Sequence, residues 1–284
     1  MLKQLLFLGA RRFVSGHTIE EAVVAVSRLN AEGISATLDV LGENVTDRRA
    51  AEDAVRAYLE TLDWIRQERL DSGVSLKLTQ MGLDIDRDYC RENMVRICER
   101  AAAGGSFVRI DMEGSAYTER TLNLFYELFQ KHRNVGVVIQ AYLHRSPQDV
   151  RRLVELGARV RLCKGAYKEP PSMVVQSMSE VRQNFISLAT ILLSQGNQPA
   201  IATHDDALVS WTQGYTAEQR ISKDRFEFQM LYGVRSHTQR QLAAQGNRVR
   251  VYVPFGTRWL PYFYRRMRER KENVAFVVKN AFRK

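Results

Sequence analysis

Near the C-terminus, the stretch YFYRRMRER (residues 262–270) sets two adjacent arginines among aromatic side chains. At helical spacing Tyr262, Arg265, Arg266 and Glu269 fall on or near one face, because side chains three and four apart are neighbours. Such a strip can be a solvated basic surface. It can also be an anion clamp, since paired guanidiniums present planar donor forks that suit a carboxylate or phosphate. The local pattern does not choose between the two.

Other reactive residue types stand inside or just after apolar runs. Glu43 follows SATLDVLG, Lys77 lies in VSLKLTQMG, and Asp111, Met112 and Glu113 close SFVRIDMEG. Gln140 and Tyr142 end NVGVVIQAY. Arg161, Lys164, Gly165, Ala166 and Tyr167 belong to RVRLCKGAY, and Thr203, His204 and Asp205 to QPAIATHD. Gln229 and Leu231 lie in FEFQMLYGV, and Tyr252 in RVRVYVPFG. A buried strand does not tolerate lysine, aspartate and arginine without partners. With Arg265 and Arg266 at the same mouth, the cations Lys77, Arg161, Lys164, Arg265 and Arg266 outnumber the carboxylates Glu43, Asp111 and Glu269, so an anionic ligand is expected. Gly165 and Ala166 leave room for close backbone approach, as phosphate binding needs, though a turn leaving a strand also uses glycine for geometry alone. His204 suits either a structural hydrogen bond or, beside Thr203, a cofactor contact.

These eight runs start near residues 35, 74, 106, 134, 159, 198, 226 and 248. Amphipathic stretches separate most of them. TIEEAVVAVSRLNAEG, before the first run, offers Thr18 as N-cap, Glu21 three residues on, and Gly33 as a stop. VTDRRAAEDAVRAYLETLDWIRQ follows the first run with apolar residues at helical spacing. DRDYCRENMVRICERAAAGG, YTERTLNLFYELFQKH, SPQDVRRLVELGA and VRQNFISLATILLSQG follow the next four. Strands alternating with helices predict parallel βαβ units, and eight units predict a (βα)8 TIM-type barrel. The rival, an open doubly wound sheet, lacks a G-x-G-x-x-G after any strand. No linker divides the chain, so 1–284 reads as a single α/β domain. A barrel places its chemistry at the C-terminal strand ends, where the polar set stands.

Composition narrows the partners. The 284 residues carry a formal net charge of +10, with a pI near 9.7. That balance favours nucleic acid, an acidic membrane surface or a small anion. Cys90, Cys98 and Cys163 form no C-x-x-C, which argues against a disulfide framework and for a reducing cytoplasm. Histidine spacing offers no metal site. The apolar start, MLKQLLFLGARRF, is too short to span a bilayer and reads as a short helix packed on the body.

VSLKLTQMGLDI, FVRIDMEG, VVIQAYLHR, RLCKGAYKEP, IATHD, FEFQMLYGV and YVPFG…YFYRRMRER resemble, in that order, the blocks of the proline dehydrogenase family. The resemblance runs from about Phe13 to the end and is nearest to the monofunctional bacterial form. It implies a distorted barrel with a short N-terminal helical extension, an FAD cofactor, and oxidation of L-proline to Δ1-pyrroline-5-carboxylate. A hydride would pass to flavin N5, with electrons going on to a quinone. By resemblance Arg265 and Arg266 hold the proline carboxylate, with Lys77 as a third cation. Tyr252, Tyr262 and Leu231 pack around the ring. Glu269 orients the arginine pair or meets the amine, and Glu43 pairs with Arg265 to close the site. Asp111 and Arg161 take the catalytic positions, Asp111 beside Lys77 and Arg161 at the flavin's N5 edge. Met112, Gln140, Arg161, Lys164, Gly165, Ala166, Thr203 and His204 match the FAD site. Cys163 stands where the family usually has valine. Peripheral contact at the inner face of the cell membrane is expected from the quinone and the positive charge.

Two other classes remain on the residues alone. A lysine on a barrel strand can form a Schiff base, as in an aldolase, and Lys77 is the candidate. The charge and RRMRERK raise nucleic-acid binding, but no recognition motif or aromatic-rich sheet accompanies them, so no nucleic-acid partner is expected.

Overall fold

The computed structural model describes residues 10–269. Helix α1 (Ile19–Ala31) opens the described elements, followed by β1 (Ser35–Val40) and α2 (Arg48–Gln67). Then come β2 (Ser72–Leu76), α3 (Arg87–Ala103), β3 (Val108–Ile110), α4 (Ser115–Lys131), β4 (Val135–Gln140), α5 (Ser146–Glu155) and β5 (Val160–Cys163). The order continues through α6 (Met178–Gln195), β6 (Ala200–Ala202), α7 (Asp206–Glu218), β7 (Glu227–Leu231), α8 (Ser236–Ala244), β8 (Val249–Phe255) and α9 (Trp259–Glu269). The eight strands pair in sequence order, all parallel, and β8 closes on β1. The expected (βα)8 barrel is the observed fold.

Local chemistry starts the helices. Thr18 and Glu21 form the expected capping box on α1: the Thr18 side chain accepts from the Glu21 N–H, and Glu21 reaches back to the Thr18 N–H. Gly33, at φ 71°, follows the helix in the left-handed conformation that glycine adopts without a Cβ penalty. Asp47, Asp86, Ser177 and Asp205 cap α2, α3, α6 and α7 with side-chain oxygens.

The strands alternate in register with their surroundings. Leu38, Leu76, Ile110, Ile139, Leu162, Ile201, Phe228 and Val251 belong to the apolar cluster shared with the helices. Residues one position away point into the barrel, and there the chain is polar: Asp39, Ser75, Lys77, Arg109, Gln140, Arg161, Glu227 and Gln229 are all buried. Most barrels fill this space with branched apolar layers. Here hydrogen bonds and ion pairs must fill it instead.

The distortion lies at the ends of the chain. α1 packs against both β1 and β8, outside the barrel, where the helix after the last strand would ordinarily lie. α9 instead borders the C-terminal mouth, with Trp259, Tyr262 and Phe263 packed against Ala10, Phe13, Val14 and Leu41. Residues 10–14 of the apolar start thus pack on the body as expected, and they brace the arginine-bearing helix. Residues 1–9 lie outside the described residues.

Candidate active site

The C-terminal mouth opens into a cavity of about 700 Å³. That volume lies within the range of ligand pockets, about 300–1,000 Å³. Lys77, Asp111, Met112, Gln140, Arg161, Lys164, Gly165, Ala166, Thr203, His204, Leu231, Tyr252, Tyr262 and Arg266 all line it. Strand-end geometry therefore gathers these expected residues from β2 to β8, and α9 adds Tyr262 and Arg266. Glu43 is half-buried and not among the lining residues. The side chains of Arg265 and Glu269 lie outside the described residues, so the expected pairing of Glu43 with Arg265 does too.

Asp111 is the hub. Its Oδ1 accepts from Ser75 Oγ at 2.6 Å and Arg161 Nη1 at 2.8 Å. Its Oδ2 accepts from Tyr252 Oη at 2.8 Å and lies 3.6 Å from Lys77 Nζ. Burial alone would raise the Asp111 pKa, but Lys77, Arg161 and the two hydroxyls overcome this and lower it. A carboxylate so held is an anchor for its neighbours and a poor proton acceptor.

Lys77 is gripped from both sides, since Asp39 Oδ1 also stands 3.6 Å from Nζ. Asp39 is wholly buried, and burial raises its pKa despite Lys77. The Tyr58 hydroxyl completes this side, 3.2 Å from Asp39 Oδ1 and donating to Ser75 O at 2.8 Å. Burial alone would lower the Lys77 pKa, yet Asp39 and Asp111 together raise it above the ordinary value. A Schiff-base lysine must be neutral to attack a carbonyl. Lys77 is instead a fixed cation, which speaks against aldolase chemistry.

Arg161 is aimed by Gln229 Oε1, 2.5 Å from its Nε, and lies 5.4 Å over the Tyr252 ring centroid. Among the described residues its buried Nη2 has no hydrogen-bond acceptor, and neither Gln140 Oε1 nor Asp39 Oδ2 has a donor. Buried polar atoms left unmatched are costly. Arg161 Nη2 and Gln140 Oε1 belong to cavity-lining residues, where a ligand can complete them.

Around the mouth, Lys164 Nζ and Arg182 Nε meet Asp205 Oδ2 at 2.5 and 2.7 Å. Burial opposes it, but these two cations hold the Asp205 pKa down at about 2. Gly165 has φ +116°, and a Cβ there would come within 2.4 Å of the Tyr142 ring. Glycine is thus required on both counts, and the backbone stays bare where it faces the cavity. His204 Nε2 accepts from the Leu231 N–H at 2.9 Å, which leaves the ring proton on Nδ1.

Known proteins resemble the chain over nearly its whole length. The family profile described as Proline dehydrogenase matches residues 22–279. Proline dehydrogenase 1 of Bacillus subtilis strain 168 is 42% identical over 277 residues, covering 98% of this chain and 92% of that protein. Proline dehydrogenase of Deinococcus radiodurans is 37% identical over 283 residues, covering 98% and 91%. The chain belongs to the proline dehydrogenase family. Among solved structures, it is similar to proline utilization A from Bdellovibrio bacteriovorus inactivated by N-propargylglycine. There the TM-score is 0.85 at 26% identity, over 91% of this chain and 32% of that one. Membership of the proline dehydrogenase family carries oxidoreductase chemistry on proline, as part of proline catabolism.

Against that background, several residues in and around the cavity escape sequence reading. Asp39 and Ser75 sit within buried strands, and the argument that singled out Lys77 applies equally to Asp39 in SATLDVLG. Arg182 and Arg235 also line the cavity. Arg235 takes a left-handed conformation at φ 58° before α8 and pairs with Asp206. Nothing in GVRSHTQ announces that. Glu113, at a strand end, is not a lining residue: it accepts from the Thr79 N–H and hydroxyl at 3.1 and 2.5 Å. It fastens the loop after β2. Cys163 lines the cavity, half-buried, with Sγ 3.6 Å from Ile139 O.

Proposed function

We propose that this chain oxidises L-proline to Δ1-pyrroline-5-carboxylate with FAD in the cavity and a quinone as final electron acceptor. The observation that carries this reading is the cation-rich cavity at the strand ends, with Arg266, Lys77 and Arg161 around one space that Tyr252, Tyr262 and Leu231 also line. The residues present suit FAD. Arg161 Nη2 and Gln140 Oε1 are buried without hydrogen-bond partners among the described residues. Lys164 and the bare backbone of Gly165 and Ala166 offer charge and close approach for a pyrophosphate. Met112, Thr203 and His204 complete the wall, His204 with Nδ1–H as a donor.

FAD, when bound, supplies a hydride acceptor at N5. The protein's own residues do the rest. Arg265 and Arg266 grip the substrate carboxylate as a fork, and Lys77 adds a fixed positive charge. Tyr252, Tyr262 and Leu231 pack the ring and exclude water, which sets the donor carbon at close approach. Arg161 offers positive charge at the reacting edge, where negative charge develops. Asp111 holds Lys77, Arg161 and Tyr252 in register, so we assign its catalytic contribution to positioning. Glu269 would orient the arginine pair, and Glu43 would close the site through Arg265. The substrate amine must be neutral, because an iminium forms.

Adding L-proline anaerobically to the flavin-loaded protein should bleach the visible flavin band, and D-proline should not. A flavin band untouched by L-proline would sink the substrate assignment, and a protein that takes up no FAD would sink the cofactor assignment. Among the described residues no helix is long and apolar enough to cross a membrane. We place the encounter with the quinone at a bilayer surface, because the net charge of +10 favours contact when the lipid is anionic. Turnover with quinone dissolved in anionic vesicles should exceed that in neutral ones. Equal rates would remove membrane contact from the proposal.

A further inference from the structure

The opposite, N-terminal end of the barrel holds a second and much smaller cavity, of about 40 Å³. Its charged lining includes Arg109, Arg159, Arg248 and Arg250, against the single carboxylate of Glu227. Arg161 reaches it from above. The site is built into the strands. Arg109 is 5% exposed and donates to Arg159 O at 2.5 Å and to Val137 O at 3.3 Å. A Cβ on Gly136 would come within 2.6 Å of Arg109 Nη1 and 2.8 Å of the Phe107 ring, so β4 has no side chain where the guanidinium enters. The Phe107 ring lies beside two guanidiniums, with Arg109 Cζ 4.9 Å and Arg159 Cζ 5.1 Å from its centroid.

Positive charge is under-compensated here. Glu227 is already committed. Arg250 Nε lies 3.1 and 3.0 Å from its two oxygens, Gln229 Nε2 donates to it at 2.5 Å, and Arg248 Nη2 is 3.9 Å away. Of the remaining acids, Asp71 stands 4.0 Å from Arg250 and is largely exposed at the rim. Arg248 donates to the Asp224 carbonyl at 2.9 Å. The Arg159 side chain makes no hydrogen bond to protein among the described residues, its backbone carbonyl alone accepting from Arg109 and Val137. Burial, then the neighbouring Arg161, Arg250 and Arg159, push the Arg109 pKa down to about 9, with Glu227 only partly offsetting them. Burial and the nearby Arg248 and Arg250 lower Arg159 as well. Guanidiniums are otherwise charged at every accessible pH, so such shifts mark a place that would welcome a negative charge.

We propose that this cavity binds one small inorganic anion of the size of chloride, held by Arg109, Arg159, Arg248 and Arg250. A water molecule needs roughly 10–15 Å³ of such space, so about three or four waters or one small anion fill the cavity of about 40 Å³ and a larger organic anion does not. Waters would leave the charge in place, whereas an anion cancels part of it in a low-dielectric setting where each pairing counts for more. The site lies at the end of the barrel away from the proline cavity, and it stands whether or not the proposed function holds.

The test is thermal unfolding of the native protein as chloride replaces gluconate at constant ionic strength. Ligand that binds only the folded state raises Tm by mass action, and a chloride level tenfold above Kd should give a saturable rise of about 3 °C for a chain of this size. Arg159→Gln, at a half-buried side chain, should abolish that rise. Arg248→Gln should reduce it and serves in its place if Arg159→Gln does not fold. No chloride-specific rise in the native protein, or the same rise in the variants, would overturn the proposal and leave the cavity to water.

Discussion

Exchanging Lys77 for methionine should lower stability by about 3–5 kcal/mol, the usual result of stripping one partner from a buried ion cluster. The reason is specific. Lys77 is the cation between Asp39 and Asp111, with Nζ 3.6 Å from each. Asp39 is wholly buried, and its Oδ2 has no donor among the described residues even with Lys77 in place. Without the ammonium, two carboxylates face each other in the barrel interior, and their pKa values rise. Stability lost through a raised carboxylate pKa is greatest above that pKa and recovers as pH falls through it. The deficit of Lys77→Met should therefore shrink on moving from neutral to mildly acid pH. Adding Asp39→Asn should recover part of it, as a double-mutant cycle in denaturant would show. A loss of under about 1 kcal/mol, well short of the roughly 3–5 kcal/mol of a true buried cluster, would contradict the ion-cluster account.

Arg266→Met should reduce kcat/KM for L-proline by roughly 10²–10³-fold, chiefly through KM, with the flavin spectrum unchanged. Arg266 lines the cavity and its Cζ lies 5.3 Å from the Tyr262 ring centroid, so its guanidinium is aimed by an aromatic wall. Loss of the fork leaves a desolvated substrate carboxylate with fewer donors. Arg266→Lys should recover little, because an ammonium restores the charge without the planar pair of donors. Steady-state kinetics over a wide proline range separates the two constants. An unchanged KM would remove Arg266 from the clamp and return the arginine strip to a solvated surface.

The two halves of that argument were not equally legible in the chain. The βα rhythm could be read directly: each expected strand begins within two residues of an observed one, from Ser35 to Val249. Thr18, Glu21 and Gly33 act as expected because capping and left-handed geometry depend only on near neighbours. Lys77, Asp111 and Arg161 could be singled out because a charge in a buried strand demands a partner. Which partner could not be read. Asp39 and Lys77 are far apart in sequence, as are Asp111 and Tyr252, and only barrel closure brings them within reach.

Residue types and their spacing thus determine the order of elements, the parallel connectivity and the ends of strands where chemistry stands, since helix and strand periodicities are short-range properties. Tertiary structure alone decides the rest. It puts α1 outside β1 and β8 and frees α9 to border the mouth with Arg266. It keeps Glu113 in a structural role and leaves Glu43 off the cavity wall. It makes Asp111 an anchor and Lys77 a held cation, because charge pairing acts through space and outweighs desolvation, between residues that the chain itself holds apart.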